Sequence, residues 1–183
     1  GSLDYAVMFW DIESNPARMR KRFTAHQGAV SAVSYFPNST KALSTGDDGK
    51  LYLWELNTGQ WLQSAEGHKG KTVSISISND ENIAATASWD GTIRIWDLEK
   101  LATLHEIKIH KETVNAVLVS PDSQTVYSGS YDGKIRSWNT KSGELTKVLH
   151  ENGWPITTMK WLPGHKQIAF GSTNGEVQIL DLE

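Results

Sequence analysis

Three tryptophans recur at a fixed interval, and that interval restricts the fold more than anything else in this 183-residue chain. Trp54, Trp96 and Trp138 stand 42 residues apart, and Leu180 falls one interval later. The acids Asp48, Asp90 and Asp132 keep the same spacing, with Asn174 next in phase, and so do His26, His68 and His110. A period of about 40–45 residues carrying four short strand signals is the mark of a propeller blade. One such unit cannot bury the apolar faces of its own sheet, so successive units must stack.

The unit beginning near His68 shows the plan. Val73, Ile75 and Ile77 alternate with Ser74, Ser76 and Ser78, the period-two pattern of a strand. Ile83 to Ala87 reads as a second strand, Asp90-Gly91 as a tight turn, and Thr92 to Trp96 as a third strand rich in β-formers. A weaker fourth strand is expected from about Thr103 to Ile109. The fold class is therefore all-β, built from four-stranded antiparallel blades.

The whole chain divides on the same pattern. Residues 4–24 supply the third and fourth strands of a preceding blade, since Asp4 stands before Trp10 as Asp48 does before Trp54. Residues 25–66, 67–109 and 110–150 each supply a full blade, and 151–183 a final three-stranded one, seventeen strands in all. Propellers usually close with four to eight blades. About four are present here, so an incomplete or intermolecularly completed propeller is expected. The final unit carries Met159, Trp161, Ile168, Phe170, Val177 and Ile179 where a polar cap would be needed against water. Something should cover the open ends, either a second copy in a homodimer or another propeller segment.

Composition narrows the function classes. A net charge of −3 argues against a nucleic-acid surface, which carries a basic excess. The chain has no cysteine, so neither disulfides nor thiolate chemistry arise. No apolar run reaches the roughly 18–20 residues of a membrane span, and no stretch reads as a secretion signal. An intracellular setting is expected, the cytoplasm ahead of the nucleus.

Gly67-His68, the Asp90-Gly91 turn and Trp96-Asp97, recurring in register, resemble the WD-repeat family of β-propellers over nearly the whole chain from Asp4 to Leu182. The resemblance implies a hydrogen-bonded His, Ser/Thr, Asp and Trp set in each blade. By position these are His68, Ser88, Asp90 and Trp96, then His110, Ser130, Asp132 and Trp138. His26, Asp48 and Trp54 match in the earlier blade, where Gly46 occupies the Ser/Thr position. In the last unit only Ser172 is retained, which points to apolar packing. The resemblance also implies a non-catalytic scaffold or adaptor for protein or peptide partners, with no cofactor, and intracellular work.

Several features suggest chemistry and have plainer readings. His, Ser and Asp together evoke a hydrolase triad, but a nucleophile is normally unique and this constellation recurs. Residues 65–72 nearly spell a phosphate-binding loop, yet Val73 opens a strand where a helix is required. Arg18, Arg20, Lys21 and Arg22 fall on an expected outer strand, where charges protect an edge. Asn38-Ser39-Thr40 reads as an ordinary turn. His105, His150 and His165 lack metal-ligand spacing. Trp61 and Trp161 read as packing.

The most informative side chains outside the repeat are aromatic. Trp89 and Tyr131 each precede the turn Asp of their blades, where Asp47 and Thr173 occupy the equivalent places, and Trp154 lies in the loop entering the last unit. The resemblance places these loops on one face around the central channel. Aromatics in exposed turns are favoured interface anchors, so Trp89, Tyr131 and Trp154 are candidate partner contacts. Asp47 and Thr173 join them by position, and Lys71 and Glu112 would add charge selectivity at the rim.

Overall fold

The computed structural model describes residues 3–108, 110, 112–164 and 166–182, so Gly1, Ser2, Ile109, Lys111, His165 and Glu183 lie outside the described residues. The described residues form seventeen strands and no helix. β1 (Ala6–Asp11) and β2 (Arg18–Thr24) make a two-stranded sheet. Three four-stranded meanders follow: β3 (Val30–Tyr35), β4 (Lys41–Gly46), β5 (Leu51–Glu55) and β6 (Gln60–Ala65); β7 (Thr72–Ile77), β8 (Ile83–Ser88), β9 (Ile93–Asp97) and β10 (Ala102–Ile107); β11 (Val114–Val119), β12 (Thr125–Ser130), β13 (Lys134–Asn139) and β14 (Leu145–Glu151). The chain ends on β15 (Ile156–Trp161), β16 (Gln167–Ser172) and β17 (Val177–Asp181). All pairings are antiparallel, as short connections between neighbouring strands require.

The middle hairpin of each blade turns on Asp-Gly or Asn-Gly. Gly91 sits at φ +81° and Gly175 at φ +84°, in the left-handed region where a side chain is strained. Register is then the same from blade to blade. Trp54 faces Ala42, Trp96 faces Ala84, Trp138 faces Val126, and Leu180 faces Ile168. The 42-residue period is thus a period of equivalent places in successive sheets.

Four apolar layers lie between the sheets. Trp54 stacks on Phe23, with ring centroids 5.3 Å apart and planes 21° apart, beside Val7 and Val30. Trp96 packs with Leu43 and Leu51 of the preceding blade, and Trp138 with Ile93 and Ile95. In the last layer Phe170 and Ile168 meet Ile135 and Leu118. Each indole therefore fills the gap to the sheet before it. A fully buried side chain of this size contributes roughly 2–3 kcal/mol through area removed from water.

The inner strands β3, β7, β11 and β15 are neighbours in series. Their alternating serines bind across the gap. Val117 N donates to Ser74 Oγ at 3.2 Å and Val119 N to Ser76 Oγ at 2.9 Å. Trp161 closes the next gap, donating from Nε1 to Val119 O at 3.0 Å and meeting Tyr127 edge-on. Asn38 does similar work between outer turns, donating from its backbone N to Glu81 Oε1 and from Nδ2 to Asn79 O.

The two outer sheets differ from the rest. β1 is paired only with β2, and β17 only with β16. Trp10 is half exposed, and Val177 and Ile179 are 78% and 60% exposed. The basic strand β2 is partly neutralised by ion pairs from Arg20 to Asp11 and from Arg22 to Asp4. Trp61 is also half exposed, its ring meeting Tyr52 edge-on at 6.3 Å. Among the described residues no helix is long and apolar enough to cross a membrane.

Candidate functional site

In each full blade the repeated polar residues converge on one buried hydroxyl. Ser44 Oγ lies 2.7 Å from both His26 Nε2 and Trp54 Nε1. Thr86 Oγ1 lies 2.8 Å from His68 Nε2 and 2.9 Å from Trp96 Nε1. Ser128 Oγ lies 2.8 Å from His110 Nε2 and from Trp138 Nε1. This corrects the expectation that Ser88 and Ser130 make the link and that Gly46 leaves it missing. Strand side chains alternate, so Thr86 and Ser88 share a face, and of the two it is Thr86 that lies within reach of both rings. Ser88 and Ser130 instead donate to Lys71 O and Thr113 O and accept from the turn amides of Asp90 and Asp132. At Gly46 a Cβ would meet Ala29 O at 2.0 Å. The last blade has Phe170 at the linking position, packed against His150 with centroids 4.6 Å apart, while Ser172 bonds locally to Asn174.

The donors decide the tautomers in the first two blades. Indole N–H can only donate and carboxylate can only accept. His26 Nδ1 lies 2.9 Å from Asp48 Oδ2, and His68 Nδ1 lies 3.2 Å from Asp90 Oδ2. The order is then Trp N–H to hydroxyl, hydroxyl to Nε2, and Nδ1–H to Asp48 in the first blade. In the second, Nδ1–H also meets Thr92 Oγ1 at 2.9 Å, which donates on to Asp90; both rings are neutral. Burial pushes both histidines below their ordinary value, against the pull of the carboxylates. Burial alone would raise Asp90, but Thr92 hydrogen bonds, the His68 ring and the Lys69 amide hold it below the usual carboxylate range.

The third blade adds a cation. Arg136, nearly buried, places Nη1 2.9 Å from Asp132 Oδ2 and 2.5 Å from His110 Nδ1. Since a guanidinium only donates, Nδ1 of His110 must accept, and Nε2–H donates to Ser128. Burial, then the neighbouring guanidinium, pushes His110 down to about 4. Sequence reasoning missed Arg136, although Tyr52, Arg94 and Arg136 also keep the 42-residue interval. The three positions, one tyrosine and two arginines, have different partners. Tyr52 donates to Ala25 O, and Arg94 pairs with Glu106.

These groups cannot act as nucleophiles where they stand. Ser44, Thr86 and Ser128 are essentially inaccessible to solvent, and each hydroxyl is already shared between an indole and an imidazole. The near phosphate loop is equally spent, because Thr72 opens β7 and Lys71 is turned toward Asp47. Among the described residues, no group of three or more His, Asp or Glu side chains could hold a metal ion.

The accessible chemistry lies on the turn face. Trp89 and Tyr131, 55% and 52% exposed, border one cavity of about 620 Å³ together with Glu112. Its floor comes from the inner strands and their approaches, at Val73, Asn115 and Thr157. Lys71 stands beside it, with Nζ 5.2 Å from the centroid of the Trp89 ring and 3.3 Å from Asp47 Oδ1. Trp154 and Thr173 are not in the cavity wall. The loop carrying Trp154 leans on the neighbouring turn, where a Cβ on Gly133 would meet Trp154 N at 3.1 Å, and Thr173 N donates to Pro155 O. Trp154 is nevertheless 52% exposed.

Comparison with known proteins agrees with this architecture. A family model described as the Vps42 beta-propeller, of the Vps41 type, matches residues 18–183. The small ribosomal subunit protein RACK1y of Oryza sativa subsp. japonica is 34% identical over 62 residues, 34% of this chain and 18% of that protein. A guanine nucleotide-binding protein subunit beta of Oryza sativa subsp. indica is 33% identical over 63 residues, 34% of this chain and 16% of its own length. Cell division cycle 20.6, cofactor of APC complex, from Arabidopsis thaliana is 38% identical over 73 residues, 36% of this chain and 17% of that protein. The matched segment thus spans less than a fifth of each relative's length.

Proposed function

This chain belongs to the WD-repeat β-propeller family of the Vps41 type, and from that premise we propose that it is a non-catalytic scaffold that captures a protein or peptide partner on the turn face bearing Trp89 and Tyr131. One observation carries the reading: two half-exposed aromatic rings from adjacent blades border a single cavity. Large rings left wet are unfavourable alone and favoured as anchors when a partner covers them. Stacked sheets hold the turns, so little ordering is lost when a partner docks. Trp154, Asp47, Thr173 and Lys71 extend the surface outside the cavity. The relatives' names, a ribosomal subunit protein, a G-protein subunit and a cofactor of the APC complex, fit work within assemblies. An intracellular setting, the cytoplasm ahead of the nucleus, follows by that analogy.

The test is the double variant Trp89→Ala/Tyr131→Ala. Its circular dichroism and melting temperature should match the parent, while the set of proteins it retains from a lysate, counted by mass spectrometry, should collapse. Undiminished capture would remove this face from consideration.

A second reading rests on the outer sheets. Val177 and Ile179 on β17, and Phe9 and Trp10 on β1, are exposed apolar side chains beside strand edges that carry no partner among the described residues. On this reading a second copy covers them, and the segment serves to complete a propeller ring. Sedimentation equilibrium distinguishes it: a stable dimer supports pairing, and a monomer over the micromolar range rejects it.

A further inference from the structure

We propose that the cavity between Trp89 and Tyr131 receives a cationic side chain, arginine in preference to lysine, from an extended segment of the partner. This rests on the docking face proposed above and adds the chemistry of what enters.

Three observations converge on a cation. First, among the described residues the only charged side chain in the cavity wall is that of Glu112, and no cation pairs with it. Second, two polar groups of the wall direct hydrogens inward. Asn115 Nδ2 donates to Ile156 O at 2.8 Å, Thr157 Oγ1 donates to Gly171 O at 3.1 Å, and Thr113 Oγ1 lies 3.5 Å from Asn115 Oδ1. Thr157 Oγ1 and Asn115 Oδ1 keep lone pairs that can accept from a ligand rich in N–H groups. Third, the Trp89 ring already holds one cation, Lys71, at 5.2 Å. Asp47 neutralises that lysine, so the three side chains Lys71, Asp47 and Glu112 together carry a negative charge.

Arginine fits better than lysine. Its planar guanidinium stacks on aromatic faces and spreads five donors toward several acceptors, while an ammonium is a compact and strongly hydrated charge. Acidic segments would meet Glu112 with like charge and find no free cation in the wall.

The experiment is an NMR titration of the full chain with a blocked Gly-Gly-Arg-Gly-Gly peptide, following the Trp89 indole resonance, which is assigned from the Trp89→Phe variant. Peptides with norleucine, lysine or glutamate at the centre are run alongside. The arginine peptide should give a saturable shift, weaker with lysine and absent with norleucine and glutamate. Glu112→Gln should weaken the arginine peptide roughly tenfold, and added salt should weaken it further. Absence of saturation, equal binding of norleucine or glutamate, or an unchanged affinity in Glu112→Gln each overturns the proposal. If the arginine peptide fails while Trp89→Ala/Tyr131→Ala still loses its partners, only the cationic preference falls. If capture also survives that double variant, the docking face falls with it.

Discussion

Nη1 of Arg136 lies 2.5 Å from Nδ1 of His110, so the third blade holds a cation against the ring nitrogen that meets Asp48 in the first blade and Thr92 and Asp90 in the second. That contact makes the third blade the most acid-sensitive of the three. Protonating His110 would place a second positive charge against the guanidinium inside the sheet.

The consequence for stability has a definite sign. The His110 value is about 4 in the folded chain against 6.5 for the free side chain. Its contribution is complete above pH 6.5 and is lost as pH falls toward about 4. At ~1.4 kcal/mol per unit the loss reaches on the order of 3 kcal/mol. Asp132 is held below its ordinary value by Arg136 and the His110 ring despite burial, so its share persists to lower pH before it too is lost. Urea midpoints should therefore fall between pH 7 and pH 4.5, and the His110 ring should titrate near 4 by NMR. A midpoint that rises with acidification, or a ring titrating near 6.5, contradicts this.

The linking hydroxyl separates two accounts of the first blade. Ser44→Ala removes the acceptor of Trp54 and the partner of His26 Nε2, leaving buried polar atoms unpaired at a cost of ~1–3 kcal/mol. Gly46→Ser, which would restore the family pattern if Gly46 were the linking position, drives a Cβ against Ala29 O at 2.0 Å. Both variants should lower the melting temperature. A gain in stability from Gly46→Ser would show that the link belongs at 46.

Adjacent turn acids should differ in worth. Asp90 accepts from the Lys69 and Thr92 amides and faces His68, while Asp47 is an exposed partner of Lys71. Asp90→Ala should cost several times what Asp47→Ala costs, since an exposed ion pair contributes about 0–1 kcal/mol. Equal shifts in thermal melting would refute the assigned roles.

The fold was legible because stacking sheets require equivalent residues at equal intervals, and Trp54, Trp96 and Trp138 are large enough to stand out. The linking hydroxyls were misplaced by two residues for a physical reason. Positions 86 and 88 share a face, both carry hydroxyls, and spacing alone cannot say which lies nearer the indole. Arg136 escaped notice because an arginine in a strand reads as solvent-facing until its neighbours are known. Loop position singles out Trp89, Tyr131 and Glu112 as candidates, but that they border one cavity depends on how two blades pack.

Hydrogen exchange of the indole N–H groups, read by NMR on the intact chain, tests the central account most directly. Trp54, Trp96 and Trp138 donate to buried hydroxyls and should exchange orders of magnitude more slowly than Trp89 and Trp154, which stand half exposed. Comparable protection of Trp89 and Trp96 would contradict it, removing both the series of equivalent sheets and the open aromatic face.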